Sequence, residues 1–413
     1  MIHVCFALYD KTGRYSKFTG TTMLSIFENL NPSLRLPSVT IHILHDNTLT
    51  IDNREKFFYL AGQYNQLVKF YNVEEICEKE LREIKNIFQG RFINNVGTLY
   101  RLLIPEIFPF EMEKVIYLDS DIIVNMDINE LWRIELNDKI FAVIPEIFNR
   151  AGIKEDVQNT FPLCRDNVVK AEDYFNAGVM FINLTIFRKE IHVVLNWPKV
   201  LDKNPRYGQF ADQDILNYYF SARTLKLPKK FNRFPVWARK ENEDAIERKI
   251  YHYAGLSLGL GLDVSDPFNR LWIKYFIKTP WFDEETIGRL YAGVQGLHVG
   301  LKNFALQISA AMSGKTRAFF ILPPNVEATK KIFSVHDNEE IILADNQESI
   351  KKLIDAMKLS AGKKVFFILV PGFPFQALIQ AGFVYGRDFL NGMDFLSEAH
   401  GAPLDSYRLI KAM

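Results

Sequence analysis

Short apolar runs that end in carboxylates or turn residues, and that alternate with helical stretches, are what most restrict the fold of this chain. Residues 4–8 form such a run and stop at Asp10-Lys11-Thr12-Gly13; residues 39–44 and 114–118 form two more, the last stopping at Asp119-Ser120-Asp121. A run this short with no polar face predicts a strand covered on both sides, and strands that alternate with helices predict a largely parallel sheet. The spacing predicts helices over 22–30, closed by Asn31-Pro32, and over 54–66. A further buried strand is expected over 179–184, entered through a turn at Phe175-Asn176-Ala177-Gly178, and a helix opens near Asp212, whose side chain could cap it. In open α/β sheets ligands bind beyond the carboxyl ends of the strands, which is where these polar clusters fall.

Composition removes several classes of function. With 50 Lys+Arg against 49 Asp+Glu and a formal net charge of +1, the chain has no field to draw in a polyanion, and nucleic acid is not an expected partner. Cys5, Cys77 and Cys164 stand apart, without the spacing of a disulfide framework or a zinc site, so a reducing cytoplasm is the expected compartment. The opening segment lacks a basic n-region and meets Asp10 and Lys11 too early for a secretory leader. The most apolar later run, 365–375, is interrupted by Pro371, Gly372 and Pro374 and is too short to span a bilayer.

At 413 residues the chain is long enough for two or three domains. The expected division is an α/β domain over 1–283 and a connector plus a smaller α/β domain over 284–413. Between 284 and 312, Ile287, Leu290, Tyr291, Val294, Leu297, Leu301, Phe304 and Ile308 recur at helical spacing, beside a small-residue row of Gly288, Ala292, Gly296 and Gly300. That row permits close backbone approach, either to the chain's own domains or to a subunit or membrane surface. Beyond it, strands are expected over 317–322, 340–344 and 364–370 and helices over 326–333, 347–358 and 375–381. Pro371-Gly372-Phe373-Pro374 lacks the glycines of a dinucleotide fingerprint, and a turn is the default reading of Gly386-Arg387-Asp388-Phe389.

The chemistry concentrates at Asp119 and Asp121. Two carboxylates one residue apart at the end of a buried strand can both reach a hard divalent cation, although Asp at a strand end also serves as a cap or turn residue. The surrounding Tyr117-Leu118-Asp119-Ser120-Asp121-Ile122-Ile123-Val124 has the apolar flanks of an Asp-x-Asp metal motif.

With Phe6-Ala7-Leu8-Tyr9-Asp10, Thr98-Leu99-Tyr100-Arg101, this aspartate pair, Tyr174-Phe175-Asn176-Ala177-Gly178-Val179, Asp212-Gln213-Asp214-Ile215-Leu216-Asn217 and His252-Tyr253-Ala254-Gly255 in order, the first two-thirds of the chain resembles glycosyltransferase family 8. That is the retaining family of bacterial lipooligosaccharide galactosyl- and glucosyltransferases and of glycogenin. The resemblance implies a Rossmann-like GT-A fold, UDP-galactose or UDP-glucose as donor, Mn²⁺ (Mg²⁺ as the alternative) as cofactor, and a glycan or lipid-linked acceptor. It implies Asp119, Asp121 and His252 as metal ligands. Donor contacts would come from Ala7, Leu8, Asp10, Arg101, Asp119, Ser120, Asn176, Ala177, Gly178, Asp212, Gln213 and Gly255. Arg101, Asp212 and Gln213 would lie nearest the reacting sugar, Arg101 and Asp212 there rather than in the core. No carboxylate stands where a double displacement would need a nucleophile, so front-face retention assisted by Gln213 is expected.

The chain departs from the family in three places. Tyr9 stands where a uracil-contacting Asp is expected, with Asp10 one residue on. After Gly255 the usual Lys-Pro-Trp is replaced by Leu256-Ser257-Leu258-Gly259-Leu260-Gly261, whose backbone N–H groups could take over a missing lysine's work on the diphosphate. The C-terminal unit, expected to serve assembly, membrane contact or acceptor presentation, lies outside the shared region. A non-catalytic sugar-nucleotide scaffold and a sugar nucleotidyltransferase remain as other classes.

Overall fold

The computed structural model describes residues 1–33, 36–87, 96–243, 245–254, 265–284, 286–288, 292, 316–321, 326–327, 330, 337, 339–343, 348–359, 365–370, 375–384 and 388–391. The chain divides into two compact units, Met1–Thr286 and Ile287–Met413.

The first unit carries strands β1 (Ile2–Leu8), β2 (Val39–His45), β3 (Leu67–Asn72), β4 (Lys114–Leu118), β5 (Ile122–Val124), β6 (Phe141–Pro145), β7 (Phe175–Asn183), β8 (Thr224–Lys226) and β9 (Ile250–His252). Seven of them form one sheet in the order β3-β2-β1-β4-β7-β6-β8, and β5 pairs with β9 in a separate ribbon. The sheet is parallel from β3 to β4; β7 runs antiparallel to both β4 and β6. Alternate residues feed two apolar clusters. Val4, Phe6, Leu8, Ile116 and Leu118 join one; Cys5, Val115 and Tyr117 join the other. Both faces are therefore covered, and each fully buried aliphatic or aromatic side chain contributes about 1.5–3 kcal/mol.

β1 leads to β2 on one side, while its other neighbour is β4. This reversal leaves a crevice beyond the carboxyl ends of β1 and β4, where Asp10 and Asp119 follow the strands.

The helix after β1 spans Arg14–Glu28, starting earlier than the expected 22–30. Its early turns are buried through small polar residues rather than an apolar stripe, with Thr19 Oγ1 donating to Ser120 Oγ (2.8 Å) and Thr22 Oγ1 to the Ile122 carbonyl (2.6 Å). A Cβ on Gly20 would stand 2.0 Å from the Trp281 ring, so glycine here is what lets the indole pack. The next helix is Ile51–Gln63 rather than 54–66, because Thr50 caps it by accepting from the Asn53 N–H. Gln66 lies beyond its end and accepts from the Ser38 and Val39 N–H groups. β7 begins at Phe175, so Asn176, Ala177 and Gly178 belong to the strand and not to an entry turn.

In the second unit β10 (Thr316–Ile321), β11 (Glu340–Leu343), β12 (Val365–Val370) and β13 (Phe389–Asn391) form a parallel sheet in the order β11-β10-β12-β13. Helices Glu348–Leu359 and Phe375–Gln380 accompany it, and Ala318, Phe320, Leu353, Met357, Leu378 and Phe389 form its core. Most of the 284–312 segment and of the 326–333 helix, the Gly255–Gly261 loop, Pro371–Pro374 and Gly386-Arg387 lie outside the described residues. Among the described residues no helix is long and apolar enough to cross a membrane.

Candidate active site

The end of β4 and the β5–β9 ribbon bring Asp119, Asp121 and His252 together. One ligand atom from each lies within 4.8 Å of the others, the only such group of acidic, His or Cys residues among those described. Antiparallel pairing sets Ile122 opposite His252, which carries the imidazole back to the aspartate loop. His252 Nε2 stands 3.2 Å from Asp121 Oδ1 and 3.8 Å from Asp119 Oδ2, its side chain almost fully buried while the two carboxylates are 30% and 25% exposed. Burial opposes charge on both members of the closer pair. Their mutual attraction outweighs it, raising the His252 pKa above the ordinary imidazole value and lowering that of Asp121 below the ordinary carboxylate value.

A mixed set of two carboxylate oxygens and one imidazole nitrogen, open to solvent on the carboxylate side, fits a divalent cation such as Mn²⁺. The neighbouring backbone is shaped to the same cluster. A Cβ on Gly178 would lie 2.2 Å from His252 Cε1 and 2.7 Å from Asp119 Oδ2, so a side chain in β7 would displace both.

Arg101, in the 3₁₀ segment Val96–Leu103, ties the cluster to its surroundings. Its Nη2 donates to Asp119 Oδ1 (2.8 Å), Nη1 to the Ala177 carbonyl (2.6 Å), and Nε lies 2.9 Å from Asp212 Oδ2. The guanidinium stacks 4.5 Å from the centre of the Tyr117 ring, whose hydroxyl also donates to Asp119 Oδ1 (2.9 Å). Burial works against the charge of Arg101, yet Asp119 and Asp212 raise its pKa further. Arg101 and Asp212 are thus buried, 5% and 4% exposed, rather than outside the core. Asp212 does not cap the helix Ala211–Phe220; it sits inside its first turn, facing Arg101, and burial pushes its pKa up to about 6. Asp214, not Asp212, accepts from the Phe210 N–H at the helix start, at 2.8 Å.

Gln213 Oε1 accepts from Asn176 Nδ2 (3.0 Å) and from the Ala177 N–H (3.1 Å), while its Nε2 donates to the Tyr174 hydroxyl (3.3 Å). The structure therefore gathers Arg101, Asp119, Asp121, Asn176, Ala177, Gly178, Asp212, Gln213 and His252 around one crevice.

The other anticipated donor contacts lie around this crevice or outside the described residues. Asp10 turns both carboxylate oxygens to the helix that follows, accepting from the Tyr15 N–H (2.8 Å), the Ser16 N–H (3.1 Å) and the Ser16 hydroxyl. Ser120 Oγ accepts from Thr19. Leu8 is buried in the core, Ala7 is half-buried beside it, and Gly255 lies outside the described residues.

Sequence reasoning missed two residues here. Asn232, fully buried, contacts both His252 and Asn176. Glu146, just after β6, is buried near the same crevice with its pKa raised by burial and partly offset by Arg150. Neither has a spacing signal, because each reaches the crevice only once distant strands have paired.

A crevice at a strand-order reversal with an Asp-x-Asp and histidine cluster beside it is the arrangement expected of a GT-A-type domain. The family model for glycosyl transferase family 8 matches residues 6–257, and the chain belongs to that family. A lipopolysaccharide 1,2-glucosyltransferase of Escherichia coli is 28% identical over 256 residues, 59% of this chain and 69% of that protein. A lipopolysaccharide 1,3-galactosyltransferase of Salmonella typhimurium is 28% identical over 247 residues, 56% and 66% of the two chains. The solved structure of galactosyltransferase LgtC with donor and acceptor sugar analogs shares the fold at a TM-score of 0.52 and 21% identity, covering 70% of this chain and 99% of that one. The protein is a glycosyltransferase with a GT-A fold and an additional C-terminal α/β unit.

Proposed function

We propose that the protein transfers galactose or glucose, with retention, from its UDP-sugar to a glycan or lipid-linked acceptor in the synthesis of a bacterial surface polysaccharide or lipooligosaccharide, working at the cytoplasmic face of the membrane. The observation that carries this reading is the convergence of Asp119, Asp121 and His252 Nε2 beside Arg101 and Gln213. Similarity to lipopolysaccharide hexosyltransferases supports the substrate class.

Asp119, Asp121 and His252 would hold the divalent cation, which supplies Lewis-acid neutralisation of the donor diphosphate. Arg101 locks Asp119 through an ion pair and would keep the carboxylate aimed at the cation. Because its Nη1 also holds the Ala177 carbonyl, Arg101 fixes the start of β7, which would line the sugar pocket. Asn176, Gln213 and Asp212 would bind the sugar. As the acceptor oxygen bonds to the anomeric carbon, the bond to the diphosphate oxygen breaks with its electron pair leaving on UDP, and the acceptor proton passes to that oxygen on the same face. The Gln213 carbonyl, fixed by two N–H donors, would stabilise the positive charge developing at the anomeric carbon. The second unit would serve acceptor presentation or self-assembly.

A donor screen tests this. UDP release is measured for a panel of UDP-sugars with Mn²⁺, with and without glycan acceptors, and again in excess chelator. Metal-dependent release from UDP-galactose or UDP-glucose is expected; full activity in chelator would overturn the reading.

A further inference from the structure

The orientation of the Asn176 amide is set by a group that can only donate. The backbone N–H of Gly178 reaches Asn176 Oδ1 at 3.0 Å, so that atom must be the carbonyl oxygen. The Asn232 atom 3.0 Å from the same oxygen must then be the Nδ2 donor, which turns Asn232 Oδ1 toward His252. His252 Nδ1 lies 3.0 Å from Asn232 Oδ1, an acceptor only, so Nδ1 carries a proton. Neutral His252 is left with its lone pair on Nε2, the atom 3.2 Å from Asp121 Oδ1. Asn232 is itself held in place. It is fully buried, and the next residue, Arg233, is bonded to β9 on both sides of its peptide, its N–H donating to the Ile250 carbonyl (2.8 Å) and its carbonyl accepting from the His252 N–H (2.9 Å).

We propose that Asn232 is a positioning residue that fixes the Nδ1–H tautomer of His252, so that a backbone N–H in β7, acting through two asparagines, presents Nε2 to the cation. The inference rests on the reading of His252 as a metal ligand, but the tautomer itself does not. An outer partner of a metal-bound imidazole typically accounts for 10–100-fold in metal affinity.

Two measurements separate the claims. The first is ¹⁵N NMR of histidine-labelled, metal-free full-length protein, recorded above the His252 pKa and assigned by the resonance lost in His252→Gln. An Nδ1–H, bare Nε2 pattern is expected; an Nε2–H pattern in the wild-type protein overturns the proposal without any variant at Asn232. The second is calorimetric Mn²⁺ binding in the presence of UDP, where nothing turns over. Asn232→Asp keeps an acceptor for Nδ1–H but gives up the donor to Asn176 Oδ1, so it should lose less affinity than Asn232→Leu, which should lose roughly 10-fold or more. Wild-type affinity in a folded Asn232→Leu protein would overturn the proposal, as would a loss in Asn232→Asp equal to that in Asn232→Leu. If Asn232→Leu does not fold, the NMR pattern decides the matter. Failure of the wild-type protein to bind Mn²⁺ with UDP would strike the metal reading, while the NMR result would still decide the tautomer.

Discussion

Gly178→Ala should disable the cation cluster more than it unfolds the protein. The added Cβ would stand 2.2 Å from His252 Cε1, 2.7 Å from Asp119 Oδ2 and 2.9 Å from His252 Nδ1. An ordinary contact begins near 3.4 Å, so the ring must retreat by about 1 Å or β7 must shift by as much. The ring has little freedom, since Asn232 holds Nδ1 and Phe234 packs edge-on with ring centres 5.1 Å apart. Strand β7 is held as firmly, the Gly178 carbonyl accepting from the Asp119 N–H at 2.8 Å. Overpacking of this kind costs about 1–3 kcal/mol, which corresponds to a fall of a few degrees in Tm. A displacement of about 1 Å in a group that holds the reacting complex can cost about 10²-fold in rate. The assay pairs thermal melts with Mn²⁺-dependent UDP release, using Gly62→Ala as the control because its Cβ meets nothing within 4 Å. Wild-type Mn²⁺ dependence and a wild-type rate in Gly178→Ala would show that the cluster does not need the space this glycine leaves.

Asp119→Asn and Asp121→Asn should each lower turnover by several orders of magnitude, which UDP release at saturating Mn²⁺ checks. Arg101→Ala should lower Tm as well as activity, because it strips the buried carboxylate of Asp212 of its counter-charge, a loss of about 3–5 kcal/mol; an unchanged melting curve would contradict this. Burial holds the Asp214 pKa up to about 7, against 3.8 for the free group. A raised carboxylate pKa means that the native state binds the proton more tightly, so its contribution to stability is full below about pH 4 and is lost as pH rises to 7. Tm should show that decline in the wild-type protein and show less of it in Asp214→Asn. A chain ending at Thr286 should retain metal-dependent UDP-sugar hydrolysis but change in the number of chains per particle by light scattering or lose transfer to the natural acceptor; an unchanged oligomeric state and the same acceptor kinetics would remove both roles from the second unit.

What the residues announced in advance were the features that local chemistry enforces. Val4–Leu8 and Lys114–Leu118 are short apolar runs bounded by turn residues, which reads as covered strands, and the aspartates that stop β4 could be placed beyond a strand end by that fact. β3 escaped notice because Leu67–Asn72 is an edge strand, half-exposed and without a clear apolar run. The early turns of the helix Arg14–Glu28 were hidden because Ser16 is buried by bonding to Asp10, and Thr19 and Thr22 by bonding to the aspartate loop and the strand after it, a tertiary satisfaction that no helical periodicity reports. Asp212 looked like a cap because capping and ion pairing use the same residue type at the same place; its partner, Arg101, is more than a hundred positions away. Asn232 had no pattern at all. Its role depends on the parallel bridge between Arg233 and Tyr251, which sets His252 beside it, and on the absence of a side chain at Gly178.

The most direct test of the site is anomalous scattering at the manganese edge from crystals grown with Mn²⁺ and UDP. One strong peak coordinated by Asp119, Asp121 and His252 Nε2, with the UDP diphosphate completing the shell, is expected. A bound UDP with no peak between those three side chains, or a peak held by other residues, would contradict this assignment.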